Sequence, residues 1–264
     1  MLDVVSYVNE RKEVLKLDFK AHPARMAIIT DNKNFGANQS YIRSKTKFAL
    51  DVGVACDVIV LNDDQEFIDN VDDYDGIIVQ YPFKDYNFAK FKDFVSAHVP
   101  ASKDIDGLGH NAIYKPCTPL GIIRYLSWLK VNYYLPCYGN VVVNVIGSGE
   151  LVGKPLIEML NENPYWSVCV TRSKTEKRVA ELFHATAKVV ICATPKHNII
   201  RDTYPDTIYI DCGTNVVNGK LLGNVSRECY EEKAMITPVP NGVGKLTVLA
   251  LFSNLAEACN KKII

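Results

Sequence analysis

The sequence predicts an α/β protein with two domains. Two observations lead to this prediction: short runs rich in valine and isoleucine recur along the 264 residues, and segments with helical patterning separate them. The runs are continuously apolar rather than alternating, which is typical of strands buried on both faces of a parallel sheet. They comprise residues 26–30, 58–61 and 76–80 in the first half, and 141–146, 168–171, 188–193 and 208–211 in the second.

The boundary between the two sets of strands is predicted at residues 116–119, where Pro-Cys-Thr-Pro interrupts the pattern. We therefore expect one domain to comprise residues 1–118 together with 247–264, and the other to comprise residues 119–246. A chain of this length accommodates two domains of ordinary size.

Three helices have recognisable start signals. Ser40 is a plausible N-cap for a helix over residues 41–50, and Thr118 is a plausible N-cap for a helix that runs through Leu129. A last amphipathic helix is predicted over about residues 247–261, after a segment rich in glycine and proline. These helices frame the candidate site residues described below.

Composition excludes several classes of protein. Lysine plus arginine number 30 and aspartate plus glutamate number 30, so no excess charge exists to hold a nucleic-acid backbone. No apolar run approaches the length of a membrane span, and the first residues lack the pattern of a signal peptide. The eight cysteines are scattered through apolar runs without a Cys-x-x-Cys pair, which favours small buried residues over disulfides or metal ligands. The sequence thus predicts a cytoplasmic protein without a metal and without a nucleic-acid or membrane partner.

A glycine turn follows the apolar run 141–146. Gly147, Ser148 and Gly149 stand between this predicted strand and a helix that includes Leu156. Glycines at a strand-to-helix turn let the backbone approach a pyrophosphate, and the helix N-terminus supplies free N–H groups. The context favours a Rossmann-type dinucleotide-binding domain, and a merely tight turn is the alternative.

The next predicted strand bears on the choice of cofactor. It ends in Thr171-Arg172-Ser173-Lys174 and offers no acid for the ribose hydroxyl that NAD sites bind. A guanidinium and hydroxyls suit a 2′-phosphate, so the sequence predicts NADP. NAD stays open, because Arg172 and Lys174 are alternatively interpreted as solvated loop charges.

Polar residues that could carry chemistry lie in the first domain. Tyr41 and Lys45 are four residues apart and share one face of the predicted helix. Gln80 ends a buried strand, where open α/β sheets place ligands, and Asp104 and Asp106 lie in one loop. A surface contact between Tyr41 and Lys45, and a turn cap at Asp104, are the alternative interpretations.

Together these segments resemble one family, the methylenetetrahydrofolate dehydrogenase/methenyltetrahydrofolate cyclohydrolase proteins. The resemblance runs in order over nearly the whole chain. The matching segments are residues 41–45 for the family's YVxxK, 79–82 for VQLP, 103–107 for KDVDG, 116–121 for PCTPxG, 210–213 for IDVG and 237–244 for TPVPGGVG.

The resemblance implies a bifunctional homodimer of one-carbon folate metabolism that serves purine biosynthesis. Its first domain would hold tetrahydrofolate substrates and its last helix would return to that domain. By resemblance, Lys45 is the main catalytic group, Gln80 holds Lys45, Tyr41 packs on the aromatic part of the folate, and Asp106 binds the pterin. The implied substrate-binding residues are Tyr41, Lys45, Val79, Gln80, Tyr81, Asp106, Pro240, Gly242 and Gly244. The implied cofactor-binding residues are Gly147, Ser148, Gly149, Arg172, Ser173 and Thr214.

The chain departs from the family's motifs in several places. Ser148 stands where the family has an arginine, which removes a phosphate-binding cation that Arg172 could replace, and Glu150 would oppose phosphate binding. The other departures are Thr194-Pro195 for an AxG turn, Asn224 for the aspartate of GDV, Asn241 for glycine, Lys245 for proline and Leu246 for methionine.

Three alternatives to the bifunctional enzyme stay open. One is a divergent member that keeps a single activity. The cyclohydrolase is then the activity expected to remain, because the departures fall on the nucleotide-binding side. The second is another two-domain NADP enzyme, similar to a shikimate dehydrogenase. The third is a non-catalytic protein that binds folate or a nucleotide.

Overall fold

The computed structural model describes residues 1–62, 67–132, 134–137, 139–217, 220–231 and 235–260. Its helices are α1 (Val4–Ala21), α2 (Phe35–Val52), α3 (Phe88–His98), α4 (Cys117–Val131), α5 (Gly153–Asn161), α6 (Lys177–Thr186), α7 (Arg227–Glu231) and α8 (Val243–Asn260). Its strands are β1 (Arg25–Asp31), β2 (Ala55–Leu61), β3 (Gly76–Val79), β4 (Val141–Ile146), β5 (Trp166–Thr171), β6 (Val189–Cys192), β7 (Ile208–Asp211), β8 (Asn215–Val217), β9 (Lys220–Leu222) and β10 (Met235–Ile236).

Contacts divide the chain into two compact units. The N-terminal unit comprises Asn9–Cys117 and Val248–Ile264, and the central unit comprises Met1–Val8 and Thr118–Thr247. The first eight residues group with the central unit, whereas the sequence prediction had them in the first domain. A hydrogen bond within the central unit explains the difference, because the backbone N–H of Leu2 donates to the carbonyl of Ile236 at 2.9 Å.

The N-terminal unit is built on a parallel sheet in the order β2-β1-β3. β1 lies in the middle, where Ile28 pairs with Val58 of β2 and with Ile78 of β3. Ile28 and Ile78 are fully buried, which explains why the apolar runs do not alternate. The predicted parallel α/β architecture is confirmed in this unit.

α8 supplies aromatic packing to the N-terminal unit. The ring of Phe252 lies 4.8 Å from Phe48 of α2 and 6.4 Å from Phe19 of α1, measured between centroids. The helix begins at Val243, four residues before the predicted start at Thr247. A glycine is tolerated in the first helical turn, where the backbone N–H groups have no helical partner in any case.

The central unit has a parallel sheet in the order β10-β7-β6-β4-β5. From β4 the chain passes through α5 to β5 on one side, and it then returns through α6 to β6 on the other side. The strand order therefore reverses between β4 and β6. Ligands of open parallel sheets bind outside the carboxyl ends of the strands at such a point.

Two small strand pairings have no counterpart in the sequence prediction. β8 and β9 form an antiparallel pair of three residues each, and β10 adds two residues to the edge of the central sheet. Segments this short carry no continuous apolar run, so a pattern search does not find them.

The predicted N-cap at Ser40 is wrong, because α2 begins at Phe35. The Asp31 carboxylate accepts hydrogen bonds from the backbone N–H of Asn34 at 3.1 Å and from that of Lys84 at 2.9 Å. This turn directs the chain into the helix before Ser40 is reached. The predicted N-cap at Thr118 also lies too late in the chain, since α4 begins at Cys117.

The cysteines are all described and all free. Cys117, Cys192, Cys229 and Cys259 are buried as predicted, whereas Cys137 is exposed. None of the helices in the described ranges combines the length and apolarity that crossing a membrane requires. Within the same ranges, no group of three or more acidic, histidine or cysteine side chains could hold a metal ion.

Candidate active site

Two candidate residues project from α2 of the N-terminal unit, one helical turn apart. Tyr41 is 47% exposed, whereas Lys45 is only 6% exposed. A lysine is almost never this deeply buried unless its ammonium group has partners. The contacts of Lys45 therefore define the site.

Lys45 lies between an amide and a carboxylate. Its Nζ donates a hydrogen bond to Oε1 of Gln80 at 3.0 Å and lies 3.6 Å from Oδ2 of Asp106. Gln80 follows β3 directly, and its Nε2 donates to the carbonyl of Tyr81 at 2.9 Å, which leaves the amide oxygen facing the lysine. The structure thus brings together three residues that the motifs named separately.

Asn38 is a residue of this site that the sequence prediction missed. It is fully buried one turn before Tyr41, and its Nδ2 donates to the carbonyl of Pro82 at 2.9 Å and to Oγ1 of Thr30 at 3.1 Å. These bonds tie α2 to the ends of β1 and of β3. The only signal in the sequence is spacing, since residues 38, 41 and 45 share one helical face.

The loop that carries Asp106 is fixed by its neighbours. Asp104 accepts hydrogen bonds from the backbone N–H groups of Gly107 at 3.1 Å and Gly109 at 2.7 Å. Asn254 of α8 donates from Nδ2 to the carbonyl of Ile105 at 2.9 Å. Asp104 is therefore the turn cap that one interpretation anticipated, and Asp106 is the acid that faces the lysine.

Asp104 makes the stability of the N-terminal unit depend on pH. Burial, opposed by the hydrogen bonds from Gly109 and Gly107, raises the pKa of its carboxyl to about 6. The folded chain keeps this proton up to about pH 6, whereas the unfolded chain releases it near pH 4. The stabilisation is present below about pH 4 and is lost as the pH rises to 6.

We expect the free energy of unfolding of the wild type to fall by about 2–3 kcal/mol between pH 4 and 6, relative to Asp104→Asn. Denaturant titrations of both proteins across this range measure the difference. Parallel pH dependences would show that Asp104 titrates near its usual value.

Two cysteines lie close to the lysine and aspartate. Burial raises the pKa of the Cys56 thiol to about 11 and raises that of Cys117 well above its usual value. The Sγ of Cys117 donates to the carbonyl of Ile105 at 3.3 Å. Both side chains are therefore thiols at neutral pH, and thiols are poor nucleophiles.

The remaining predicted substrate residues of the N-terminal unit differ in burial. Val79 is 3% exposed and belongs to the hydrophobic core. Tyr81 is half-buried and packs edge-on against Phe91 and Phe88, with ring centroids 5.0 and 5.5 Å away. Of the two, only the tyrosine offers side-chain surface to a ligand.

Pro240, Gly242 and Gly244 belong to the central unit. A Cβ atom at Gly242 would lie 2.2 Å from the carbonyl oxygen of Pro238, so only glycine fits there. Asn241 has a φ of +77°, a conformation that asparagine tolerates better than most residues, which accounts for its replacement of glycine. Leu246 is fully buried, and its carbonyl oxygen packs against Gly121.

The glycine turn of the central unit has the shape expected of a phosphate site. Gly147 follows β4 with a φ of +103°, and a Cβ atom there would lie 2.3 Å from the carbonyl oxygen of Ala193. Gly153 begins α5, and a Cβ atom there would lie 2.3 Å from the carbonyl oxygen of Gly147. The turn between them places Gly149 on the surface, and its carbonyl oxygen accepts from the backbone N–H of Lys154 in the first turn of α5 at 2.9 Å.

Arg172 lies over this turn. Its Nε donates to Oγ of Ser148 at 3.1 Å, and its backbone N–H donates to Oγ1 of Thr175 at 2.9 Å. The guanidinium thus reaches the position at which the family has an arginine. Glu150 pairs with Lys154 at 3.1 Å, so its charge is balanced rather than left facing the turn.

The end of β7 is organised by a buried carboxylate. Asp211 accepts hydrogen bonds from the backbone N–H groups of Gly213 and Asn224, both at 2.8 Å, and burial raises its pKa. Thr214 follows this turn and is exposed. Asn224 contacts Thr194, so two positions that depart from the family's motifs touch each other.

The two units offer different chemistry. A buried amine beside a carboxylate can move a proton, and an amide beside it can fix its orientation without adding charge. The turn after β4 can hold a pyrophosphate, and Arg172 with Ser173 offers donors to a further phosphate. The described residues therefore fit a dinucleotide in the central unit and proton transfer in the N-terminal unit.

The chain is similar to known proteins over nearly its whole length. The chain is 32% identical over 286 aligned residues to "Bifunctional protein FolD" of Malacoplasma penetrans. This alignment covers 99% of this chain and 96% of that protein. The 5,10-methylenetetrahydrofolate dehydrogenase of the silkworm Bombyx mori superposes with a TM-score of 0.83 and 26% identity, covering 100% of this chain and 98% of that one. The methylenetetrahydrofolate dehydrogenase/cyclohydrolase of Campylobacter jejuni superposes with a TM-score of 0.78 and 28% identity, covering 97% of each chain.

Residues 116–263 match the family described as tetrahydrofolate dehydrogenase/cyclohydrolase, NAD(P)-binding domain. This match covers more than half of the chain, and the similarity to the Malacoplasma protein extends over nearly all of it. The chain therefore belongs to the tetrahydrofolate dehydrogenase/cyclohydrolase family.

Proposed function

We propose that this chain catalyses two consecutive steps of one-carbon folate metabolism. The first is the NADP-dependent oxidation of 5,10-methylenetetrahydrofolate to 5,10-methenyltetrahydrofolate. The second is the hydrolysis of that product to 10-formyltetrahydrofolate. The observation that carries the proposal is the buried Lys45, held by Gln80 and next to Asp106, in a member of this family.

The N-terminal unit carries the folate chemistry. Asp106 accepts hydrogen bonds from the adjacent N–H donors of the pterin, since a carboxylate suits such a pair. Tyr41 offers an exposed ring on which the aromatic part of the folate packs. Both residues hold the one-carbon bridge near Lys45.

Lys45 assists the hydrolytic step. Water adds to the carbon of the methenyl bridge, one carbon–nitrogen bond opens, and a proton is released. The Nζ of Lys45 takes and returns protons at that position, while the oxygen of Gln80 fixes its direction. Because Gln80 is neutral, it orients the amine without adding a charge beside the cationic methenyl group.

The central unit holds the cofactor, which accepts a hydride when bound. The backbone of residues 147–149 and the N-terminus of α5 hold the pyrophosphate. Arg172 and Ser173 bind the 2′-phosphate, and Arg172 thereby substitutes for the cation that Ser148 does not supply. The proposed cofactor is therefore NADP, because NAD lacks the 2′-phosphate that Arg172 would bind.

We expect Arg172→Ala to raise the KM for NADP by about 10-fold, because a charge-assisted contact with the 2′-phosphate is lost. The KM for NAD should change little. Initial rates of methenyltetrahydrofolate formation with each cofactor measure both values. Arg178→Ala, the same change at an exposed position of α6, is the matched control. Equal effects on NADP and NAD would contradict the assignment.

A chain that keeps only the cyclohydrolase is the second candidate function. The uncharged Ser148 in the phosphate turn favours it, because the turn itself then lacks the family's cation and depends on Arg172 after β5. Incubation of the purified protein with 5,10-methylenetetrahydrofolate and NADP separates the two candidates. NADPH formation supports the bifunctional enzyme. Decay of supplied 5,10-methenyltetrahydrofolate without NADPH formation from methylenetetrahydrofolate supports the cyclohydrolase alone.

We also propose that the protein is a homodimer. β5 is an outer strand of the central sheet, and its residues 167–171 are only partly buried. α6 lies nearby in sequence with Leu182 58% exposed. An open strand edge with apolar surface is suited to pairing with a second copy.

The proposed setting is the cytoplasm, because eight free cysteines suit a reducing compartment. There the 10-formyl product would supply purine biosynthesis. Tetrahydrofolate substrates and a second copy of the chain are the proposed partners. The balanced net charge of zero argues against nucleic acid as a partner.

A further inference from the structure

The turn that follows β6, residues 193–196, lies at the end of the central sheet where open parallel sheets have their ligand crevice. β4 and β6 are neighbouring strands at the point where the strand order reverses, and a dinucleotide binds outside their carboxyl ends. The turn also touches the phosphate turn, since a Cβ atom at Gly147 would lie 2.3 Å from the carbonyl oxygen of Ala193. The position of residues 193–196 therefore affects both sides of the crevice.

Asn224 holds this turn with its side-chain amide. Its Nδ2 donates to the carbonyl oxygen of Thr194 at 3.0 Å and to Oγ1 of Thr194 at 3.2 Å. The same nitrogen also donates to the carbonyl oxygen of Lys196. Asn224 is fully buried, whereas Thr194 is partly buried and Lys196 is exposed. The site therefore requires a donor at this position.

The backbone of Asn224 is anchored independently of the turn. Its N–H donates to Oδ1 of Asp211 at 2.8 Å, and its carbonyl accepts from the N–H of Ile199 at 2.6 Å. The N–H of Val225 donates to Oδ2 of Asp211 at 2.9 Å. β7 thus sets the position of the amide, and the amide in turn sets the position of residues 193–196.

We propose that Asn224 is a positioning residue for the nicotinamide dinucleotide, and that its amide holds the turn after β6 in the arrangement that the cofactor requires. The proposal rests on the dehydrogenase activity proposed above. The family carries an aspartate at this position beside a different turn, whereas in this chain an aspartate would direct a negatively charged oxygen at the carbonyls of Thr194 and Lys196. The repulsion would move the turn into or away from the crevice, because the two carbonyls would lose their donor and face a negative charge.

The test compares Asn224→Asp with the wild type in three measurements. These are the Kd for NADP by titration, the kcat and KM of the dehydrogenase reaction, and the hydrolysis of supplied 5,10-methenyltetrahydrofolate, which uses no nicotinamide cofactor. We expect the Kd and KM for NADP to rise about 10-fold or more, because small misplacements at a binding site have effects of this size. Hydrolysis reports on the Lys45 site in the same preparation, and we expect it to persist.

Two further variants keep the test decisive. Asn224→Ala removes the donor without adding a charge, and it should weaken NADP binding even if Asn224→Asp does not fold. Asn161→Asp makes the same chemical change at an exposed position at the end of α5 and should bind NADP as the wild type does.

Wild-type affinity for NADP in both Asn224 variants would overturn the proposal. An equal loss of NADP binding and hydrolysis would also overturn it, since that result indicates a general structural role. A wild-type protein that neither binds NADP nor reduces it would refute the dehydrogenase function itself, and this inference with it.

Discussion

Replacement of Lys45 by methionine is expected to reduce the hydrolysis of 5,10-methenyltetrahydrofolate by about 10²–10⁴-fold. Methionine fills a similar volume in a site where the lysine is only 6% exposed, but it cannot take or return a proton. Proton transfer by a positioned side chain contributes a factor of this size. The loss should appear in kcat, and the decay of the methenyl absorbance under saturating substrate measures it.

Lys47→Met is the matched control for this substitution. Lys47 lies two residues further along α2 and is exposed, so the same change there leaves the site untouched. Wild-type hydrolysis by Lys45→Met would contradict the assignment of Lys45. A loss of hydrolysis by both variants would point to the helix rather than to the amine.

Replacement of Gly147 by alanine is expected to destabilise the central unit. The residue has a φ of +103°, and the added Cβ atom would lie 2.3 Å from the carbonyl oxygen of Ala193. Backbone strain and this contact together should lower the free energy of unfolding by about 2–4 kcal/mol. NADP binding should be lost with it, because the phosphate turn cannot keep its shape.

The alanine substitution at Gly149 separates these effects. No heavy atom outside the neighbouring residues lies within 4 Å of a Cβ atom there, and its φ is not in the left-handed region. Thermal unfolding of Gly149→Ala should therefore stay close to that of the wild type. Equal stability of the two glycine variants would contradict the strained geometry described for Gly147.

Much of the fold follows from local patterns. Valine and isoleucine runs identify the long parallel strands because these strands are buried on both faces, as at Ile28 and Val145. The start of α2 was misplaced because a side chain outside the helix determines it: Asp31 binds the backbone of Asn34 and Lys84. Lys84 is 53 residues away from Asp31, and no local pattern contains that contact.

The candidate site was accessible to sequence reasoning in part. Tyr41 and Lys45 share a helical face, and Gln80 ends an apolar run, but only the resemblance to the family makes these positions a site rather than a surface contact. Asn38 has no sequence signal because two of its partners are backbone carbonyls, which any residue supplies, and the third is Thr30 on a different element. The contact of Asn224 with Thr194 joins positions 30 residues apart and is visible only in the folded chain.

The central claim is that one chain performs both steps of the folate reaction. Its most direct test is a progress curve of the purified protein with 5,10-methylenetetrahydrofolate and NADP, in which NADPH, methenyltetrahydrofolate and 10-formyltetrahydrofolate are followed together. We expect NADPH and the 10-formyl product to accumulate together, and we expect Lys45→Met to stop the formation of the 10-formyl product. Absence of NADPH with both NADP and NAD would contradict this claim, and so would a decay of supplied methenyltetrahydrofolate no faster than in buffer.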